Sequence, residues 1–172
     1  MAITYTSGEQ VEVYRFSIPA TILIPLTAVF IQAWLSKRFT FLNIFDLPLL
    51  VTIGFATARR NPLAGLFTGC FIGMLQDALT INPIGLYGIA KTVVGFGASS
   101  LGIKLDVENS GARFLLIIVF YVVHEIVYFM IARGLVGLHM AWSWPHEFLS
   151  GVANAILGVL VFMLLDKVKQ RT

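Results

Sequence analysis

The succession of apolar runs constrains this chain more than any motif. Six stretches rich in Leu, Ile, Val, Phe and Ala follow one another between residues 18 and 165, and the gaps between them are too short to house a soluble domain. A helix of about 20 apolar residues crosses the hydrocarbon of a bilayer, and only helices or closed barrels satisfy their backbone there. Of the 172 residues 12% are charged and 58% hydrophobic, against about 25% charged in an ordinary soluble domain. The expected architecture is an all-α, polytopic integral membrane protein with six transmembrane helices. Residues 1–17 form a cytoplasmic tail, 18–165 a single transmembrane domain and 166–172 a basic cytoplasmic tail. No cleavable signal peptide is expected, because Glu9, Glu12 and Arg15 precede the first apolar run.

The expected spans are 18–35, 47–58, 61–79, 84–103, 113–132 and 148–165. The first carries Pro19 and Pro25 and ends near Trp34, Lys37 and Arg38, a membrane-interface signature. Residues 39–45 are aromatic and read as an interfacial turn. Asp46 caps the second helix, with Pro48 in its first turn. The run 47–58 is short for a span, so either it begins in the aromatic turn or its neighbours shield it. Residues 104–111 form a polar loop. Residues 134–147 hold Trp142, Trp144, His139 and His146 and read as an interfacial belt. An even number of spans puts both termini on one side. With the termini inside, Arg15, Arg59, Arg60, Lys104, Arg113, Lys167, Lys169 and Arg171 are cytoplasmic, whereas Lys37, Arg38 and Arg133 are outside. That asymmetry obeys the positive-inside tendency.

The third run opens with Asn61 and Pro62, a helix N-cap and a first-turn proline. Gly65, Gly69 and Gly73 then recur every four residues along one helix face, and Asp77 is the next step on that stripe. Small residues let helices approach closely in lipid, so the stripe is a packing or partner surface. Gly88 and Gly95 line a second small face on the fourth run, with Lys91, Ser99 and Gly102. The polar residues inside the apolar runs are Gln76, Asp77, Lys91, His124, Glu125 and Asn154. At about 1.5 Å per residue, Lys91 and Glu125 both fall about 10 Å below the outer face, with Asn154 near that level. Asp77, Lys91, His124, Glu125 and Asn154 are therefore expected to form an intramembrane polar layer, with Lys91 held by Asp77, Glu125 or both. The competing reading has Lys91 reaching the outer headgroups along its own stem.

Chemistry-bearing motifs are absent. The sequence holds no phosphate-binding loop, no zinc-spaced His/Cys cluster and no nucleophile elbow. The three histidines lack metal-ligand spacing with one another, and the one cysteine, Cys70, lies inside an apolar run where it packs as a small hydrophobe. No catalytic residue, metal or cofactor is expected. The net charge of +3 reflects loop cations, not a nucleic-acid surface.

Residues 45–96, FDLPLLVTIGFATARRNPLAGLFTGCFIGMLQDALTINPIGLYGIAKTVVGF, resemble the rod shape-determining protein MreD family. The resemblance rests on Asp46-Leu47 at a helix start, the glycine-striped helix ending at Asp77, and Ile84-Gly85-Leu86 opening the next helix. It implies a multi-pass protein of the bacterial inner membrane that is not an enzyme. The implied role is a scaffold of the cell-elongation machinery, binding MreC and through it serving MreB and the RodA–transpeptidase synthase of side-wall peptidoglycan. It also implies a fold similar to the substrate-binding subunit of energy-coupling-factor transporters. The alternative function is thus a vitamin-binding subunit of an uptake transporter. The Ala-x-x-x-Ala face usual on the first helix of such subunits is missing: Ile24 follows Ala20, and Gln32 follows Ala28.

Overall fold

The computed structural model describes residues 14–80, 82–103, 109–139 and 142–171. Six helices make up almost all of it: α1 (Ile18–Arg38), α2 (Leu47–Arg59), α3 (Pro62–Thr80), α4 (Leu86–Gly102), α5 (Ser110–Gly134) and α6 (Trp144–Asp166). A 3-10 turn, Thr40–Ile44, joins α1 to α2. Five segments are long and apolar enough to cross a membrane: α1, the turn continued into α2 (Thr40–Arg59), α3, α5 and α6. With 17 residues, α4 is not among them. Most of residues 1–17, the loop residues 104–108, Ile81, Met140, Ala141 and Thr172 lie outside the described residues.

The shortest helix is the hub. Every residue of α2 from Pro48 to Thr57 is buried, and α2 packs against each of the other five helices. A helix hidden from lipid on all sides can be shorter than the hydrocarbon is thick, because its neighbours complete the crossing. Its start is fixed by Asp46, whose Oδ1 accepts the Leu49 N–H at 2.9 Å, and by Pro48 in the first turn. On one side Leu49, Leu50, Ile53 and Ala56 meet Val94 and Ala98 of α4, Ile117 and Phe120 of α5, and Phe162 of α6. On the other side Val51 and Phe55 meet Val29 of α1, Ile72 of α3 and Leu165 of α6. The large apolar side chains left outside, such as Phe30, Phe67, Phe96, Val119 and Leu160, face outward from the other five helices, as a lipid-facing surface requires.

The structure corrects several expected boundaries. Helix α4 begins at Leu86, two residues later than expected, because Gly85 takes φ 110°, a left-handed conformation suited to glycine. Helix α6 begins at Trp144, four residues earlier than expected, with Pro145 in its first turn. Trp144, Pro145, His146 and Glu147 therefore belong to a helix and not to the loop. The N-terminal segment is not wholly aqueous either. Phe16 is buried against Phe55, ring centroids 4.3 Å apart, and Tyr14–Arg15 (β1) pairs antiparallel with Gln170–Arg171 (β2). The two tails therefore meet at one end of the bundle. Close by, Arg60, Arg113 and Lys169 gather with Phe16 and Asp166 around a cavity of about 40 Å³.

Helices α3 and α4 make the closest pairing in the bundle. A Cβ added at Gly65 would collide with the Gly95 carbonyl, one at Gly69 with the Lys91 carbonyl, and one at Gly73 with the Tyr87 carbonyl; one at Gly95 would strike the Gly65 carbonyl. Backbone lies on backbone from Gly65 to Gly73, about two turns, which only residues without side chains allow. Gly88 is less constrained, its Cβ meeting Met74 Cγ at 3.1 Å.

Candidate functional site: a buried polar cluster beside an open recess

At the end of the bundle opposite the paired tails, five helices converge on charged and amide groups. Lys91 on α4 and His124 on α5 are completely buried. The Lys91 ammonium donates to Asp46 Oδ2 at 2.6 Å and lies 3.1 Å from His124 Nε2. It also sits 4.5 Å above the centre of the Tyr87 ring, a cation–π distance. An ammonium has only donors, so Nε2 must accept, which leaves the imidazole proton on Nδ1. That proton faces Glu125 Oε1 at 3.0 Å. The result is a continuous chain, Asp46–Lys91–His124–Glu125, across α2, α4 and α5. Tyr87 and Tyr128 stack beside it with centroids 4.7 Å apart, and Tyr87 lies nearly parallel to His124 at 5.8 Å.

Amide side chains hold Asp46 in place. Asn154 Oδ1 on α6 accepts the Asp46 N–H at 2.9 Å, and Asn154 Nδ2 donates to the carbonyls of Ile44 (2.7 Å) and Ser150 (2.9 Å). Gln32 on α1 donates to the Phe45 carbonyl at 2.8 Å and accepts from Leu47 N–H at 3.2 Å. The peptides on both sides of Asp46 are thus tied to α1 and α6. A buried ion pair is tolerable only when its remaining groups are hydrogen-bonded, and this framework meets that condition.

The expected pairing of Lys91 with Asp77 or Glu125 is overturned: its counter-ion is Asp46. Asp46, expected only to cap α2, has both roles: Oδ1 caps the helix and Oδ2 pairs with Lys91. Asp77 is fully buried, and its carboxylate caps α4. Its Oδ2 accepts the N–H groups of Gly85 (2.8 Å) and Gly88 (3.1 Å), and its Oδ1 that of Tyr87 (3.1 Å). Three open donors at a helix N-terminus are a strong anchor for a carboxylate, and they leave it no need of a lysine. Of the expected layer, Lys91, His124 and Glu125 come into one chain, and Asn154 joins through the backbone of Asp46. Gln32 was missed, although it is a polar residue within the first apolar run. His139 is exposed and His146 lies on the surface of the α6 start. Among the described residues no group of three or more His, Cys, Asp or Glu is placed to hold a metal ion.

A recess of about 280 Å³ opens beside the chain. Its wall includes Gln32, Ser36 and Asn43 from the α1 end and the turn, Asp46, Gln76 and Asn82 near the α3 end, and Tyr87, Tyr121 and Glu125. Gln76 is 3% exposed and its Oε1 has no hydrogen-bond partner.

Five apolar segments of membrane-crossing length, an apolar exterior and a polar cluster in the interior define a polytopic α-helical membrane protein. Over residues 13–168, nearly the whole chain, the sequence matches the family described as rod shape-determining protein MreD, and the chain belongs to that family. Membership ties it to the determination of rod shape, a structural role in a family not known for enzymes. No curated protein and no solved structure matches it.

Proposed function

We propose that the protein is a non-enzymatic scaffold of the cell-elongation complex in the bacterial inner membrane, binding MreC and supporting side-wall peptidoglycan synthesis through MreB and the RodA–transpeptidase synthase. The family match over residues 13–168 carries this reading. In the proposed topology all six helices cross the membrane. At 17 residues, α4 reaches about 26 Å, close to the ~30 Å of the hydrocarbon core. The pairing of β1 with β2 supports an even number of crossings, since it holds both tails on one side. The cations Arg60, Arg113 and Lys169 beside those tails support a cytoplasmic placement of that end. The seam of α3 and α4 and the cluster around Lys91 would keep the helices in register, so that the outward surfaces meet lipid and partner as fixed shapes. The single-domain organisation of 18–165 and the two cytoplasmic tails are part of the same reading.

Depletion in a rod-shaped host is the test. Cells should become round, and less MreC should be recovered with the synthase. Cells that keep their shape but lose uptake of a vitamin would reject the scaffold and favour a small-molecule-binding subunit of a transporter. That second reading draws on the recess of about 280 Å³.

A further inference from the structure

We propose that the recess beside Glu125 binds a small organic ammonium group bearing N–H donors. Several polar groups of the wall are already engaged. Gln32 gives its amide to Phe45 and Ser36 and accepts from Leu47. Thr80 donates to the Gln76 carbonyl and accepts from Asn82. The Tyr121 hydroxyl is directed to Glu147 at 3.2 Å. Among the side-chain atoms of the described wall residues that are themselves buried, the one left without a partner is an acceptor, Gln76 Oε1. A buried carbonyl left without a donor is costly, and native proteins rarely keep one without a reason.

Charge points the same way. Asp46 is neutralised by Lys91. Glu125 receives only the Nδ1–H of His124, a neutral donor while Nε2 accepts from Lys91. The cluster as a whole therefore carries one uncompensated negative charge, on a carboxylate in the recess wall. Among the described residues the wall has no Lys or Arg, and Lys91 is spent behind it. A carboxylate and an unpaired carbonyl in the wall of one recess select a cation that can donate hydrogen bonds. The volume is slightly below the range of drug-sized pockets, about 300–1,000 Å³, and suits a group the size of ethanolamine. Such an ammonium can come from a free amine or from the headgroup of phosphatidylethanolamine.

The test uses the purified full-length protein. Its melting temperature is followed in detergent during titration with ethanolamine, with ethylene glycol at equal concentration and ionic strength as the uncharged match. In parallel it is measured in nanodiscs of phosphatidylethanolamine and of phosphatidylcholine, whose quaternary ammonium has no N–H. We expect stabilisation of about 5–10 °C at a hundredfold excess over Kd. Stabilisation by free ethanolamine identifies a soluble amine as sufficient; stabilisation confined to phosphatidylethanolamine nanodiscs identifies the lipid. Glu125→Gln and Gln76→Met should each abolish the shift, and Gln76→Met should melt no lower than the parent without amine, since it removes an unpaired carbonyl. The proposal is overturned if neither arm shows a shift, if ethylene glycol or phosphatidylcholine does as well, or if Gln76→Met retains the shift.

Discussion

Lys91 shows how much one buried residue depends on its surroundings. Its ammonium has Asp46, His124 and the Tyr87 ring around it and no path to water. Removing one member of such a pair strands the other charge, at a cost of about 3–5 kcal/mol. Lys91→Met should therefore sharply lower the melting temperature or the protein level. Asp46→Asn should restore much of the loss, because asparagine still caps α2 while shedding the stranded charge. Asp77→Asn and Glu125→Gln should not restore it: Asp77 is engaged by the N–H groups of α4, and Glu125 touches Lys91 only through His124. A double-mutant cycle on thermal stability measures this. Additivity for Lys91→Met with Asp46→Asn would disprove the pairing.

Among the elements, the α3–α4 seam makes the sharpest demand. Gly69 and Gly73 face backbone carbonyls, which cannot swing aside as side chains do. Even Gly69→Ala or Gly73→Ala should therefore destabilise, by about 1–3 kcal/mol for overpacking, and Leu at either position should prevent assembly or folding. Gly54 would seem a neutral glycine for comparison, but an added Cβ there meets Leu165 Cδ1 at 2.5 Å, so its substitution should show an intermediate effect. Gly134, with nothing within 4 Å, is the proper control. Equal melting temperatures for Gly69→Ala, Gly73→Ala and Gly134→Ala would mean that the two helices are not seamed by their glycines.

For the whole molecule, the paired tails and the six helices make a topology that can be tested directly. Alkaline phosphatase fused at the C-terminus should be inactive, because the proposed topology puts both paired tails at the cytoplasmic end. The same enzyme inserted in the exposed loop at Gly137, between α5 and α6, should be active. The opposite pattern at either position would refute an even, cytoplasmic-ended bundle. This arrangement separates two environments: cations collect near the tails, while Lys91, His124 and Glu125 lie towards the other end, where α2 begins.

The one-dimensional pattern of the chain was enough for its class and most of its helices, because lipid leaves a segment few options. A run of apolar residues must become a helix, and Asn61-Pro62 or Asp46 with Pro48 marks where one starts. The glycine stripe was legible too, since a four-residue period already defines a face. The extent of α6 was not, because Trp144 to Glu147 have the composition of an interfacial loop. Their helical state came only with the tertiary structure. Partnership inside the bundle was equally hidden. Depth along a helix can be counted from the sequence, and it brought Lys91 level with Glu125. Which residues face each other at that depth depends on helix rotation and neighbour order, and neither leaves a periodic trace. Tertiary packing alone decided that α2 would be the central helix, that Asp77 would be consumed by the backbone of α4, and that Asp46 would turn its second oxygen to Lys91.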